Sequence, residues 1–136
     1  YYILYLCYYM ILPFLTIAPS ENRGRGVFTT EVIAAGTTIE IAPVIVFDAT
    51  ERVDLEKTKL YNYIFEWGED YTGAAVGLGY VSIYNHAHQA NCKYEMDFEN
   101  EQMSIVTLRD IQVGEELYIN YNADNDSEQP VWFNAV

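Results

Sequence analysis

Short apolar stretches separated by turn residues run along most of the chain, and few are long enough for a helix. The first expected strand covers residues 12–17, the polar stretch 20–24 reads as a turn, and a second strand follows over 25–30. Residues 32–37 read as another turn. Residues 38–47 are mostly apolar but contain Pro43, so the pattern predicts two short strands divided there. Asp48 and Glu51 form a capping box that opens one predicted helix over 51–63, with Val53, Leu55, Leu60 and Ile64 turned inward. Residues 68–79 are rich in glycine and small side chains and read as a loop or irregular strand.

The sharpest local signal is a hairpin. Tyr94, Met96 and Phe98 alternate with Lys93, Glu95 and Asp97, so one face is apolar and the other charged. Glu99-Asn100-Glu101-Gln102 supplies the turn, and Met103, Ile105 and Thr107 alternate with Ser104 and Val106 on the return. A turn at Gly114 leads into a last strand through Leu117 and Ile119 to Tyr121. The expected fold class is therefore mostly β with one short helix.

The 136 residues favour one domain, and at 51% apolar content they can bury a core. Seven Lys and Arg against twenty Asp and Glu leave a net charge of −13, which argues against direct nucleic-acid binding and fits a cationic partner. Glu66, Glu69 and Asp70, or the hairpin face of Glu95, Asp97 and Glu99, would attract basic residues. The same charges also read as ordinary solvated faces. Two unpaired cysteines, Cys7 and Cys92, fit a reducing, cytoplasmic setting. The first charged residue is Glu21, but five early tyrosines, Pro13 and the missing basic leader argue against a membrane span or signal peptide. Residues 1–9 read as an accessory or non-native extension before Met10. Residues 10–136 read as one domain, with 122–136 as its closing segment.

Three segments carry chemistry. In Arg23-Gly24-Arg25-Gly26-Val27-Phe28, two glycines let backbone approach a ligand closely or adopt positive φ. No third glycine or helix follows, so this is not a dinucleotide fingerprint. In Tyr84-Asn85-His86-Ala87-His88-Gln89-Ala90-Asn91-Cys92, amide and imidazole groups between strands suit a polar ligand, an Asx-type turn, or a metal on His86, His88 and Cys92. The metal reading is the weaker, because the paired ligand spacing of a structural zinc site is missing. In Val113-Gly114-Glu115-Glu116-Leu117-Tyr118-Ile119-Asn120-Tyr121, a turn enters a strand whose tyrosines serve either core or site.

In that order, with Tyr121 roughly three dozen positions after Asn85, these segments resemble the SET-domain family of protein-lysine methyltransferases from about Pro13 to Tyr121. Gly36 also matches a turn of that family. The resemblance implies a β-clip-like fold of short curved sheets, one short helix and a knot-like threading of the chain end. It implies methyl transfer from S-adenosyl-L-methionine to a lysine amine of a protein, with cofactor and peptide meeting through a narrow channel. By carry-over, Tyr121 is the catalytic tyrosine, and Gly24, Arg25, Gly26, Tyr84, Asn85 and His86 bind the cofactor. Tyr80, with Tyr84, falls along the channel, and Ile119 stands where the family often has Phe or Tyr.

The chain departs from the family pattern in three ways. Ala87 and Ala90 replace a common Ser and Pro, and no cysteine-rich zinc segment flanks the core. Trp132 and Phe133 are then the expected replacements for closing the channel. These departures also motivate an alternative: a catalytically inactive interaction module that keeps the fold.

Overall fold

The computed structural model describes residues 8–122. Among these residues ten strands run in chain order: β1 (Met10–Ile11), β2 (Leu15–Ser20), β3 (Gly24–Thr29), β4 (Thr38–Phe47), β5 (Ile64–Trp67), β6 (Gly73–Gly77), β7 (Asn85–His86), β8 (Cys92–Asp97), β9 (Gln102–Thr107) and β10 (Glu116–Ile119). Among the described residues there are also one α-helix, α1 (Ala49–Leu55), and two 3-10 turns, Lys59–Asn62 and Val81–Ile83.

The larger sheet has the order β5-β6-β4-β9-β8, with β1 also on β4. The smaller has the order β2-β3-β10-β7. Val27, Ile39, Val81, Met103, Ile105, Ile111, Leu117 and Ile119 are fully buried between them. The hairpin of β8 and β9 forms in the expected register, with Tyr94 opposite Ile105 and Met96 opposite Met103.

Several expected boundaries differ. The strand expected over 12–17 is broken at Pro13: β1 ends at Ile11, Leu15 N–H closes a turn onto the Leu12 carbonyl at 3.1 Å, and β2 begins there. Residues 38–47 form one strand, not two. β4 pairs with β9 up to Pro43 and with β6 from Val44. The Pro43 carbonyl accepts from Leu78 N–H on the edge that β6 shares, so the missing N–H faces the interval between β1 and β6, where no ladder bond is needed.

The helix expected over 51–63 stops at Leu55 and has no buried residue; Val53 is 54% exposed. Its start follows the sequence signal, with Asp48 and Glu51 capping reciprocally at 2.8 and 3.0 Å. Arg52, rather than an apolar stripe, ties it down by donating to the Tyr71 and Gly73 carbonyls and pairing with Glu66 at 2.9 Å. Ile64 is buried, as expected, but on β5. The small residues of 73–77 form a regular central strand, because neighbours approach too closely for larger ones. A Cβ on Gly77 would lie 2.8 Å from Val81 Cγ1.

Candidate active site

The smaller sheet brings the three motifs together. β2 and β3 form a hairpin whose turn is permitted by Asn22 at φ 63° and Gly24 at φ 74°. β10 then pairs antiparallel with β3, Leu117 opposite Val27, and parallel with β7, Tyr118 opposite Asn85 and Ile119 opposite His86. Asn91, which is buried, pins the junction: its amide donates to the Glu116 carbonyl at 2.9 Å, and its oxygen accepts from Tyr118 N–H at 2.8 Å. Ala87 ties the bend to the last strand by donating its N–H to the Ile119 carbonyl at 3.0 Å.

Tyr121 follows directly on this arrangement. Its hydroxyl donates to the Tyr84 carbonyl at 2.5 Å, its N–H donates to His86 Nδ1 at 3.0 Å, and its carbonyl accepts from Tyr94 O–H at 3.1 Å. Burial raises the pKa of the Tyr121 phenol, so the group stays protonated at neutral pH. Burial likewise holds His86 down to about 4, assisted by the charges of His88 and Arg23. A neutral His86 that accepts at Nδ1 carries its hydrogen on Nε2. That atom is buried and has no hydrogen-bond partner among the described residues.

Tyr121 and Tyr84 line a narrow, partly open pocket. Tyr63, Ile64, Phe65 and Val81 form much of the remaining wall. Tyr63 and Phe65 had no sequence signal for this role, because Tyr63 ends the segment that reads as helix and Phe65 follows it. Tyr80 and Ile119 do not line this pocket: Ile119 is fully buried, and Tyr80 sits at the start of the Val81–Ile83 turn. The Tyr84 side chain is 1% exposed, so its carbonyl and not its ring reaches Tyr121. The phenol instead donates to Glu40 at 3.0 Å. Glu40 is fully buried and also accepts from Tyr80 N–H at 2.7 Å, and burial pushes its pKa up to about 7. Trp132 and Phe133 lie outside the described residues.

Gly24 is open on its outer side, with nothing within 4 Å of a would-be Cβ, whereas a Cβ on Gly26 would run into the Glu116 carboxylate and stand 2.9 Å from Asn85 Nδ2. Arg25 is exposed and offers its carbonyl, which accepts from Asn85 at 3.1 Å. Arg23 packs over the Tyr118 ring at 5.3 Å and donates to the His86 carbonyl at 2.6 Å. Among the described residues no three His, Cys, Asp or Glu side chains gather to hold a metal. Cys92 is fully buried, and burial pushes its thiol up to about 12.

A glycine turn, an asparagine–histidine bend and a terminal-strand tyrosine packed together define a class, and the match to known proteins agrees. The SET domain family model covers residues 24–122, and the chain belongs to that family. Over 108 residues it is 42% identical to a Schizosaccharomyces pombe protein named histone-lysine N-methyltransferase, H3 lysine-37 specific, covering 79% of this chain and 72% of that one. The crystal structure of a histone methyltransferase candidate from Plasmodium falciparum is similar at 28% identity and TM-score 0.65, covering 82% of this chain and 95% of that one. An Ezh2-containing assembly, apo ctPRC2, matches in fold at 24% identity and TM-score 0.68, covering 82% of this chain and 15% of that one. No helix among the described residues is long and apolar enough to cross a membrane.

Proposed function

We propose that this chain transfers a methyl group from S-adenosyl-L-methionine to a lysine side-chain nitrogen of a basic, histone-like protein in an intracellular setting. The observation that carries this reading is the Tyr121 hydroxyl, fixed on the Tyr84 carbonyl in the wall of a narrow pocket beside the converged glycine and Asn-His segments.

The residues present fit the cofactor on two counts. His86 Nε2–H is a buried donor left without an acceptor, a situation that costs about 1–3 kcal/mol unless a ligand supplies one. A Cβ on Gly24 would meet nothing within 4 Å, so the glycine motif is open to a ligand there. Gly24, Arg25 and Gly26 would hold the cofactor through backbone, Asn85 its amino-acid end and His86 its adenine end.

When bound, S-adenosylmethionine supplies a methyl group on a positively charged sulfur. The chain's own work is alignment and desolvation. A free lysine amine has a pKa of about 10.4 and must lose its proton to attack. Ile64, Phe65 and Val81 wall the pocket with apolar surface, which disfavours the ammonium form. The Tyr121 proton is committed to a carbonyl, so its oxygen acts as an acceptor toward amine N–H and polarised methyl C–H. Water takes the released amine proton, and no protein base is required. Trp132 and Phe133 would close the pocket from the segment beyond Asn122.

The test is transfer of labelled methyl to recombinant histones and basic peptides. Tyr121→Phe is expected to lower turnover by roughly 10²–10³-fold, the size typical of losing one oriented polar group at a reacting centre. Donor affinity should change less than threefold. Near-normal turnover in the variant would remove Tyr121 from the site. Donor binding without transfer to any acceptor would favour the interaction-module reading.

A further inference from the structure

Glu116 has no place in the reading above, yet it sits at the meeting point of β3, β7 and β10. Its Oε1 accepts from Ser20 Oγ at 2.7 Å and from Tyr118 O–H at 3.0 Å, and its Oε2 accepts from Asn85 Nδ2 at 2.7 Å. All three donors are neutral. Among the described residues Glu116 makes no ion pair, and the nearby Arg23 guanidinium is directed to the His86 carbonyl instead. A half-buried carboxylate held by three neutral donors still has spare lone pairs for a further donor. Such a group is a preorganised receptor for a cation.

The surroundings indicate which kind of cation fits. Asn85 Nδ2 bonds the Arg25 carbonyl and Glu116 Oε2 at once, so two acceptors already converge on one nitrogen. A primary ammonium, with three N–H donors, satisfies the same convergence, whereas a guanidinium is too broad for it. Gly26 makes the convergence possible. The carboxylate occupies the volume that any side chain at position 26 would need. The adjacent Gly24 leaves the outer side open.

We infer that Glu116, with the Arg25 carbonyl, receives the primary ammonium of the methyl donor's amino-acid end and so sets preference for donors that carry that amine. This inference rests on the cofactor reading above. The second glycine of the motif then serves chiefly to admit an acidic side chain from the last strand, and only indirectly to admit the ligand.

The experiment is calorimetric titration of the full chain and Glu116→Gln with S-adenosylhomocysteine and with its des-amino analogue, the latter by competition. Glutamine keeps the shape and one acceptor but loses the charge. The wild type is expected to prefer the amine-bearing ligand by about tenfold or more, the ratio of one charge-assisted hydrogen bond. In Glu116→Gln that preference should fall below threefold through loss of affinity for S-adenosylhomocysteine, with the des-amino analogue bound as before and the melting temperature unchanged. An undiminished preference in the variant, or equal weakening of both ligands, overturns the inference. Failure of the wild type to bind S-adenosylhomocysteine at all would instead sink the cofactor reading, and the inference with it.

Discussion

Two buried titratable groups make opposite demands on folding, and their balance is measurable. Glu40 is pushed up to about 7 from 4.5 by burial, which its bonds from Tyr80 N–H and Tyr84 O–H only partly offset. Between those values the native state holds a proton that the unfolded chain has released, so this group's contribution is full at low pH and is lost as pH rises toward 7. His86 is held down to about 4 from 6.5. Here the unfolded chain binds a proton that the native state refuses, so stability is present above 6.5 and is lost as pH falls toward 4. Each slope is about 1.4 kcal/mol per pH unit, and over the shared window they cancel. The wild type is therefore expected to show nearly flat unfolding free energy from pH 5 to 6.

Glu40→Gln removes one side of the balance. Its unfolding free energy should rise with pH by roughly 1.2 kcal/mol between pH 5 and 6 relative to wild type, as the His86 slope emerges. Urea denaturation followed by fluorescence of the buried Trp67 reads this directly. Asp70 and Asp97, whose pKa values are lowered by bonds from Thr72 and Asn100, act below this window. A variant that shifts the free energy uniformly, with the same pH slope as wild type, would refute the premise that Glu40 is protonated in the native state at pH 5–6.

Three further outcomes follow from the packing. Tyr84→Phe removes a donor from the Glu40 carboxylate and should cost about 1.5–3 kcal/mol above pH 7, where that carboxylate is ionised, and less at pH 5; denaturation at the two pH values checks it. Gly26→Ala drives the Glu116 and Asn85 side chains apart, so S-adenosylhomocysteine affinity measured by calorimetry should fall by about tenfold while circular dichroism stays native, because only side-chain ends must move. Asp48→Ala strips the α1 cap and should lower stability by about 1 kcal/mol without altering donor binding, seen as a shift in the urea midpoint.

What was legible in the sequence was what depends on near neighbours. The β8–β9 hairpin is written in strict alternation, and the start of α1 in the Asp48–Glu51 pair. The motif order pointed to the family, and the structure packs Gly26, Asn85 and the strand leading to Tyr121 side by side. What was not legible depends on partners far along the chain. β6 reads as a loop or irregular strand because its glycines and alanines have poor strand propensity, and only Val81, Phe47 and Trp67 explain why nothing larger fits at its two glycines. The helix was drawn too long because nothing local ends it, whereas pairing with β6 draws residues 64–67 into a strand. Nothing near Glu40 in the sequence signals its burial, because the Tyr84 hydroxyl that bonds it comes from 44 positions later. Glu116 looked like part of a turn motif, and its three donors come from β2, β7 and β10.

The position of β10 between β3 and β7 also constrains how the molecule is made. The Ser20–Glu116 bond spans 96 positions, so a ribosome must deliver almost the whole described chain before the smaller sheet can close. Until then β3 and β7 present bare edges, and such long-range pairing is slow to form and prone to aggregate. A nascent chain stopped short of Glu116 can assemble β4, β9 and β8 but no catalytic centre. Expression yield is thus expected to depend on chaperone supply during synthesis more than on the stability of the finished protein.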